Sequence, residues 1–459
     1  MAGIGFRIQR ILHKNSISSV LQAYGYAALV SSGPWILSII SLAILGLIIA
    51  GVIGKEASES LFVTITHVFA FSLILTGPVQ LVLSRFSSDK LFVEDNEAVY
   101  SSFVSATFLM MAISGLLGIF IFGYLGVGSW VQRFGAILFF SVIGGIWMCA
   151  TYMSILKSFN AIIMGFFVGY LFGFIATVVI GLYGDPEYLM LGFTFGQLVL
   201  FLFLFGAISK ELGFSYKWDA EFLGYFKKYY ILGLCGFFYN TGMWMDKFLH
   251  WWLADDHVHI GSIFYASPMY DVAVYLGYLS IAPGMAVFLI KLEADFAIKM
   301  DMYVRGLIGK SSFKKLDQLN RDAILAIREG VSLQVKLQTV ITGVLLLFAE
   351  QVLSLFGASS MQASVFRLIL VGSFVMVIFL SIFTCLFYLD RLKEATICCV
   401  LFFVLNTVLT TLDIYLGERW YGLGFTLSSF IATHLSFYLL NKHIQNFTYR
   451  MFKDAPINV

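Results

Sequence analysis

Three ionisable residues, Asp246, Lys247 and Asp271, lie inside two apolar stretches, roughly 229–253 and 262–290. Each stretch is long enough to cross the ~30 Å hydrocarbon core of a bilayer as a helix. An ionisable group at that depth is costly unless it faces a cavity or a partner, so the default reading of these residues is functional. Their chemistry is noncovalent: two carboxylates and an ammonium can hydrogen-bond to hydroxyl and amide groups, or pair to gate a path. No nucleophile motif accompanies them, and there is no large soluble domain to carry ATPase or glycosyltransferase chemistry. No catalytic residue, resident metal or cofactor is therefore expected.

Helical spacing arranges their neighbours. Asn240, Trp244, Lys247 and Trp251 recur at i, i+4, i+7 and i+11, and Ser267, Asp271, Tyr275 and Tyr278 at i, i+4, i+8 and i+11. Each set marks one helical face that is both polar and aromatic. Earlier in the chain, Tyr24, Ala28, Ser31 and Trp35 share a face of the same character. The same aromatics would also suit a membrane-interface belt or a packed core.

The elements that carry these faces are membrane spans. The sequence is 59% hydrophobic and 12% charged, with a mean hydropathy of +0.88; a soluble domain has about 25% charged residues. The five cysteines fall in apolar runs without redox or metal spacing and read as small hydrophobes. Twelve spans are expected, near 21–52, 61–84, 99–125, 131–156, 158–182, 187–209, 229–253, 262–290, 332–356, 362–388, 394–416 and 419–441. Arg7, Arg10 and Lys14 precede the first run, which is too long for a signal h-region and reads as a retained span. With the amino terminus inside, all but five of the 29 Lys and Arg, namely Lys55, Arg133, Lys247, Arg367 and Arg419, fall on the cytoplasmic side. Both termini are then cytoplasmic, and a net charge of +2 gives no reason to expect nucleic acid.

The charged link 210–228 follows the sixth span and divides the chain into two six-helix lobes, 1–209 and 229–459. A short repeat agrees, since Ser31-Ser32-Gly33-Pro34-Trp35 aligns with Asn240-Thr241-Gly242-Met243-Trp244. Four prolines, Pro34, Pro78, Pro268 and Pro283, lie in spans one, two and eight, where each is expected to bend a helix and act as a hinge beside a cavity. In span two, His67 reads as an interfacial residue and Arg85 as a positive-inside anchor. Residues 291–336 form the only long loop, carrying a surface amphipathic helix with Phe313, Leu316, Leu319, Ala323 and Ile327 on one face. Asp255, Asp256, His257 and His259 read as a solvated turn, not a metal site.

The opening Met1-Ala2-Gly3-Ile4-Gly5-Phe6, Gln22-Ala23-Tyr24 and Ser31-Ser32-Gly33-Pro34-Trp35, in a chain of this length with twelve spans, resemble the PelG family. That family is the inner-membrane component of a bacterial exopolysaccharide system, in the multidrug/oligosaccharidyl-lipid/polysaccharide flippase superfamily. The resemblance implies an all-α membrane protein with two six-helix lobes around a central cavity, in the bacterial inner membrane. It also implies export of an amino-sugar polymer made by a cytosolic glycosyltransferase, and assembly with PelD, PelE and PelF components. On that reading Tyr24, Ser31, Trp35, Asn240, Trp244, Asp246, Lys247, Asp271, Tyr275 and Tyr278 are substrate contacts. Three other functions fit the residues. A flippase for lipid-linked oligosaccharides would need clustered cations, and of the spans expected to line a cavity only Lys247 supplies one deep in the membrane. A cation-coupled small-molecule exporter would titrate Asp246 or Asp271, and a scaffold would recruit a synthase through 291–336.

Overall fold

A computed structural model describes residues 16–214, 217, 220–357, 359 and 361–444, the side chains of residues 17, 20, 21, 35, 293 and 294 excepted. The Met1–Phe6 motif, Arg7, Arg10, Lys14, Arg450, Lys453 and the Trp35 side chain lie outside the described residues.

Long apolar runs build long helices, which side-chain caps start in places, Asp95 before Asn96 and Ser129 before Trp130. The helices are α1 (Ile17–Val52), α2 (Lys55–Phe92), α3 (Asn96–Gly118, extended by the π-helical turn Ile119–Tyr124), α4 (Trp130–Ile155), α5 (Phe159–Tyr183) and α6 (Leu189–Leu212). The short α7 (Glu221–Lys228) leads into α8 (Tyr230–Leu253). After the strands β1 (Val258–Gly261) and β2 (Phe264–Ala266) come α9 (Pro268–Leu279), α10 (Ala282–Phe288), a π-helical turn (Leu289–Phe296) and α11 (Ala297–Ile308). The chain ends in α12 (Phe313–Leu347), α13 (Ala349–Leu355), α14 (Gln362–Tyr388), α15 (Leu392–Leu416) and α16 (Leu423–Ile444).

Among the described residues ten helices are long and apolar enough to cross a membrane, or eleven if α1, which is bent at Pro34, counts as one span. The expected twelve are not reached on this criterion. Helix α8 has the length, about 36 Å at 1.5 Å per residue, but Asn240, Asp246, Lys247 and His250 dilute its apolar character.

Chain contacts divide the fold into two compact units, Gly33–Asp271 and Met1–Ser32 with Val272–Val459. In the first, α2 packs on α4 and α8, α3 on α4, and α6 on α4 and α5. Its core runs from Leu45 to Phe264 through Phe86, Phe103, Phe139, Tyr152 and Phe193. This division differs from the expected one at 210–228, and the link itself is fastened into the first unit. Lys90 meets Glu221 at 2.7 Å and Lys217 meets Glu97 at 2.7 Å. In the second unit, α14 and α15 pack on α16, and α12 packs on α10, α11 and α14.

Three expectations are corrected. Residues 258–266 form an antiparallel hairpin, with Val258 opposite Ala266 and His259 opposite Tyr265, so the eighth helical segment begins at Pro268 instead of 262. The segment 291–336 is no loop: α11 and the first half of α12 make a helical hairpin, and α12 continues unbroken to Leu347. Pro268 and Pro283 stand in the first turns of α9 and α10, where the missing amide hydrogen would have no intrahelical partner anyway. Only Pro34 and Pro78 are internal to helices.

The break that Pro283 follows is held by amides. The carbonyls of Ser280, between α9 and α10, and of Gly284, in the first turn of α10, accept from Gln338 and Gln334 of α12, at 3.0 and 3.1 Å. Ser381 of α14 donates to Gln334 Oε1 at 2.6 Å, so a buried neutral network spans three helices of the second unit.

Candidate functional site

The site is built where α8, the hairpin and the start of α9 meet α2. Gly77 of α2 and Gly236 of α8 let the two backbones approach; a Cβ on either would strike the other helix, and one on Gly77 would also strike the Asn240 amide. Pro78 follows at once in α2, removing an amide hydrogen at the crossing. Asn240 Nδ2 donates to Gly236 O at 2.9 Å, so its amide is anchored on its own helix beside the crossing.

One turn and a half further along α8 lies the ionised cluster. Lys247 Nζ donates to both Asp246 oxygens, at 3.1 and 3.0 Å, and to Met243 O at 2.8 Å. Tyr270 OH donates to Asp246 Oδ2 at 2.5 Å, tying α9 to the pair. The His250 ring lies parallel to that of Tyr270 with centroids 3.7 Å apart, and its Nδ1 is 2.7 Å from Asp246 O. Asp246 and His250 are 0% exposed and Lys247 4%, so the pair is desolvated and survives through mutual neutralisation and its hydrogen bonds.

A second carboxylate layer follows. Asp271 accepts from Trp251 Nε1 at 2.9 and 3.1 Å and from Ser267 N at 3.0 Å. Asp256 accepts from Ser267 Oγ at 3.0 and 2.9 Å and from Met269 N at 3.0 Å. Both carboxylates therefore sit on orphan donors at the start of α9, where the helix dipole also favours negative charge. His67 of α2 stacks on Trp251 at 4.3 Å, with Phe264 of β2 at 5.0 Å. It is 1% exposed, which corrects its reading as an interfacial residue. Its Nδ1 is 2.9 Å from Val63 O, and Nε2 has no hydrogen-bond partner among the described residues.

Sequence spacing thus placed Trp244, Lys247 and Trp251 together correctly, the two indoles lying 6.2 Å apart. Asp246 and Lys247 pair with one another, and Asp271 is bound by a tryptophan and a helix start. Asn240, Trp244 and Asp271 are half-buried members of the first unit. Tyr24, Ser31, Tyr275 and Tyr278 belong to the second; Tyr275 is 37% exposed, and Tyr278 packs against Phe425 at 6.1 Å. Tyr270, His250, His67 and Asp256 were missed as members of the cluster. Asp256 stood in a polar run that resembled a solvated turn, and no spacing pattern singled out Tyr270 or His250.

Comparison with known proteins gives the chain its relatives. The family model described as PelG, a putative exopolysaccharide exporter, matches residues 1–452. No curated protein matches. Among solved structures, the fold is similar to an outward-facing multidrug resistance MATE-family transporter of the MOP superfamily, with a TM-score of 0.60 and 13% identity over 92% of this chain and 96% of that one. An inward-facing transporter of the same description gives 0.60 and 14% over 92% and 99%. A MOP-superfamily transporter from Pyrococcus furiosus Vc1, described as having a binding pocket of reversed polarity, gives 0.59 and 13% over 92% and 96%. At such identities the likeness establishes the fold, that of an all-α membrane transporter.

Proposed function

Because the chain belongs to the PelG family of exopolysaccharide exporters, we propose that it carries an amino-sugar polymer from the cytoplasm to the periplasm across the bacterial inner membrane. The polymer comes from a cytosolic glycosyltransferase, and the exporter assembles with PelD, PelE and PelF components. Both termini are cytoplasmic in this reading, in keeping with the Lys and Arg distribution.

The observation that carries the mechanism is the neutralised Asp246–Lys247 pair bonded to Tyr270 and stacked beside His250. A neutral polar cluster lets α8 and α9 change their contact without moving net charge through hydrocarbon, and it attracts no ionic headgroup. We assign Asp246, Lys247 and Asp271 to gating between α8 and α9. Asn240, Trp244, Tyr24, Ser31, Tyr275, Tyr278 and Trp35 serve as sugar contacts. Aromatic faces suit the apolar faces of sugar rings, and the amide and hydroxyls suit their edges.

The pairing also separates the alternatives. A lipid-pyrophosphate headgroup requires available cations, and Lys247 is already matched by Asp246. A cation-coupled small-molecule exporter is the second reading, supported by the multidrug description of the solved neighbours. Export assays distinguish them: cells carrying Asp271→Ala should accumulate polymer inside while keeping the protein in the membrane, and Asp271→Asn, which can still accept from Trp251, should export more than Ala. Unchanged polymer secretion together with lost drug-stimulated proton flux would favour the second reading.

A further inference from the structure

One cation of the first unit is held in place without a counter-charge. Arg133, in the first turn of α4, donates from Nε to Gly128 O and from Nη1 to Gly123 O, both at 3.1 Å. Its guanidinium carbon lies 5.4 Å from the centre of the Trp130 ring. Two carbonyls and an indole thus fix the orientation of the fork, while Nη2 has no hydrogen-bond partner and the side chain no ion pair among the described residues. The Lys and Arg distribution leaves Arg133 off the cytoplasmic side, so topology gives no reason for a cation at this position.

Arg133 lines a cavity enclosed by the start of α2, the end of the π-helical turn and the loop after it, the start of α4, the start of α6 and strand β2, all within the first unit. The polar lining is Ser60, Thr64, Gln132 and Arg133, and it includes no acidic residue; Glu59 and Glu187, near in sequence, do not reach it. Thr64 Oγ1 is already spent on Ser60 O at 2.8 Å, and Gln132 Oε1 accepts from Ser129 N at 3.2 Å. What remains without a partner among the described residues is the Ser60 hydroxyl, Gln132 Nε2 and Arg133 Nη2. Each can donate, and the last two can only donate. Leu61, Phe122, Ala136, Met190 and Phe264 make the other walls apolar, and a charge-assisted hydrogen bond is stronger in such surroundings than in water. The loop is made for this placement: Gly128 has φ 80°, and a Cβ on it would strike Gln132 Oε1.

We propose that this cavity binds an oxyanion, a carboxylate or phosphate group, through Arg133, Gln132 Nε2 and the Ser60 hydroxyl. A fixed, unpaired guanidinium matches two oxygens on one centre, and nothing in the lining would offset a second positive charge. The anion is either the phosphate of a lipid headgroup or a free small ion.

The test uses the full-length protein in a neutral detergent, stripped of lipid. In one arm inorganic phosphate is titrated calorimetrically; in the other, phosphatidylglycerol competes with phosphatidylcholine in mixed micelles and the retained lipid is counted by mass spectrometry. Saturable binding of phosphate identifies a free ion, and selective retention of phosphatidylglycerol alone identifies a headgroup. In either case R133Q should weaken binding by about tenfold or more, the worth of one hydrogen bond to a charged group. Because Arg133 also fastens the loop carbonyls, S60L is the second variant: it fills the cavity and breaks none of those bonds. It should abolish binding without changing the melting temperature, and it alone decides if R133Q melts earlier. No binding in either arm, or binding that survives S60L, or that survives R133Q, would overturn the proposal. Binding is read without export, so its failure is distinct from failure of the transport reading.

Discussion

Two buried polar networks hold helices together in this protein, one in each compact unit, and they use opposite chemistry. In the first unit α8, α9 and the hairpin are joined by charges: Asp246 with Lys247 and Tyr270, Asp271 with Trp251, and Asp256 with Ser267. In the second unit α10, α12 and α14 are joined by the neutral amides of Gln334 and Gln338 and the hydroxyl of Ser381. A neutral network loses only the worth of its hydrogen bonds when it opens. An ionic one strands a charge, so it opens only as a matched set. The charged network is thus suited to switching between two arrangements, and the neutral one to securing a fixed break in a helix.

The contrast is sharpest at Lys247. Replacing it with Met strands Asp246 in the bundle, and a loss of ~3–5 kcal/mol in stability is expected. Asp246→Asn combined with Lys247→Met should recover most of this; denaturation of the solubilised variants, compared as a double-mutant cycle, checks it. In the neutral network Gln338→Leu leaves Ser280 O without its donor, with an expected loss of ~1–3 kcal/mol. A loss as large as that of Lys247→Met would break the comparison. Trp251→Phe keeps the ring stacked on His67 but removes both bonds to Asp271, for ~1–2 kcal/mol and reduced export. Asp256→Ala, which uncaps the start of α9, should lower stability by ~1 kcal/mol and leave export nearly unchanged.

Much of this was legible in the chain. Charges inside apolar runs exposed Asp246, Lys247 and Asp271, and the 3.6-residue period put Trp244 and Trp251 on the face of Lys247. What periodicity lacks is a record of what lies across from a face. Asp246 and Lys247 are adjacent in sequence and so point about 100° apart on an ideal helix; their pairing depends on the lysine stem curling back, which spacing does not reveal. Strand β2 hid inside the apolar run from 262 because Phe264 and Tyr265 are as hydrophobic as a span, and β1 lay in what read as a solvated turn, although Gly261-Ser262 between alternating residues is a turn signal. Helix α12 was divided into loop and span because its charge ends near Lys336, while its helical period runs on with no proline to stop it. Pro268 and Pro283 were misplaced for a related reason: a proline that opens a helix and one that bends it look alike until the helix start is known.

The measurement that tests the exporter account most directly is thiol accessibility at Trp244→Cys in a background lacking the five native cysteines, all of which are buried. A membrane-impermeant reagent is applied with and without the exported glycan. The account predicts labelling at this half-buried position and its protection by the glycan. Complete protection from the reagent in a protein that still exports, or labelling indifferent to glycan, would show that the α8 face is packed core and would contradict the assignment.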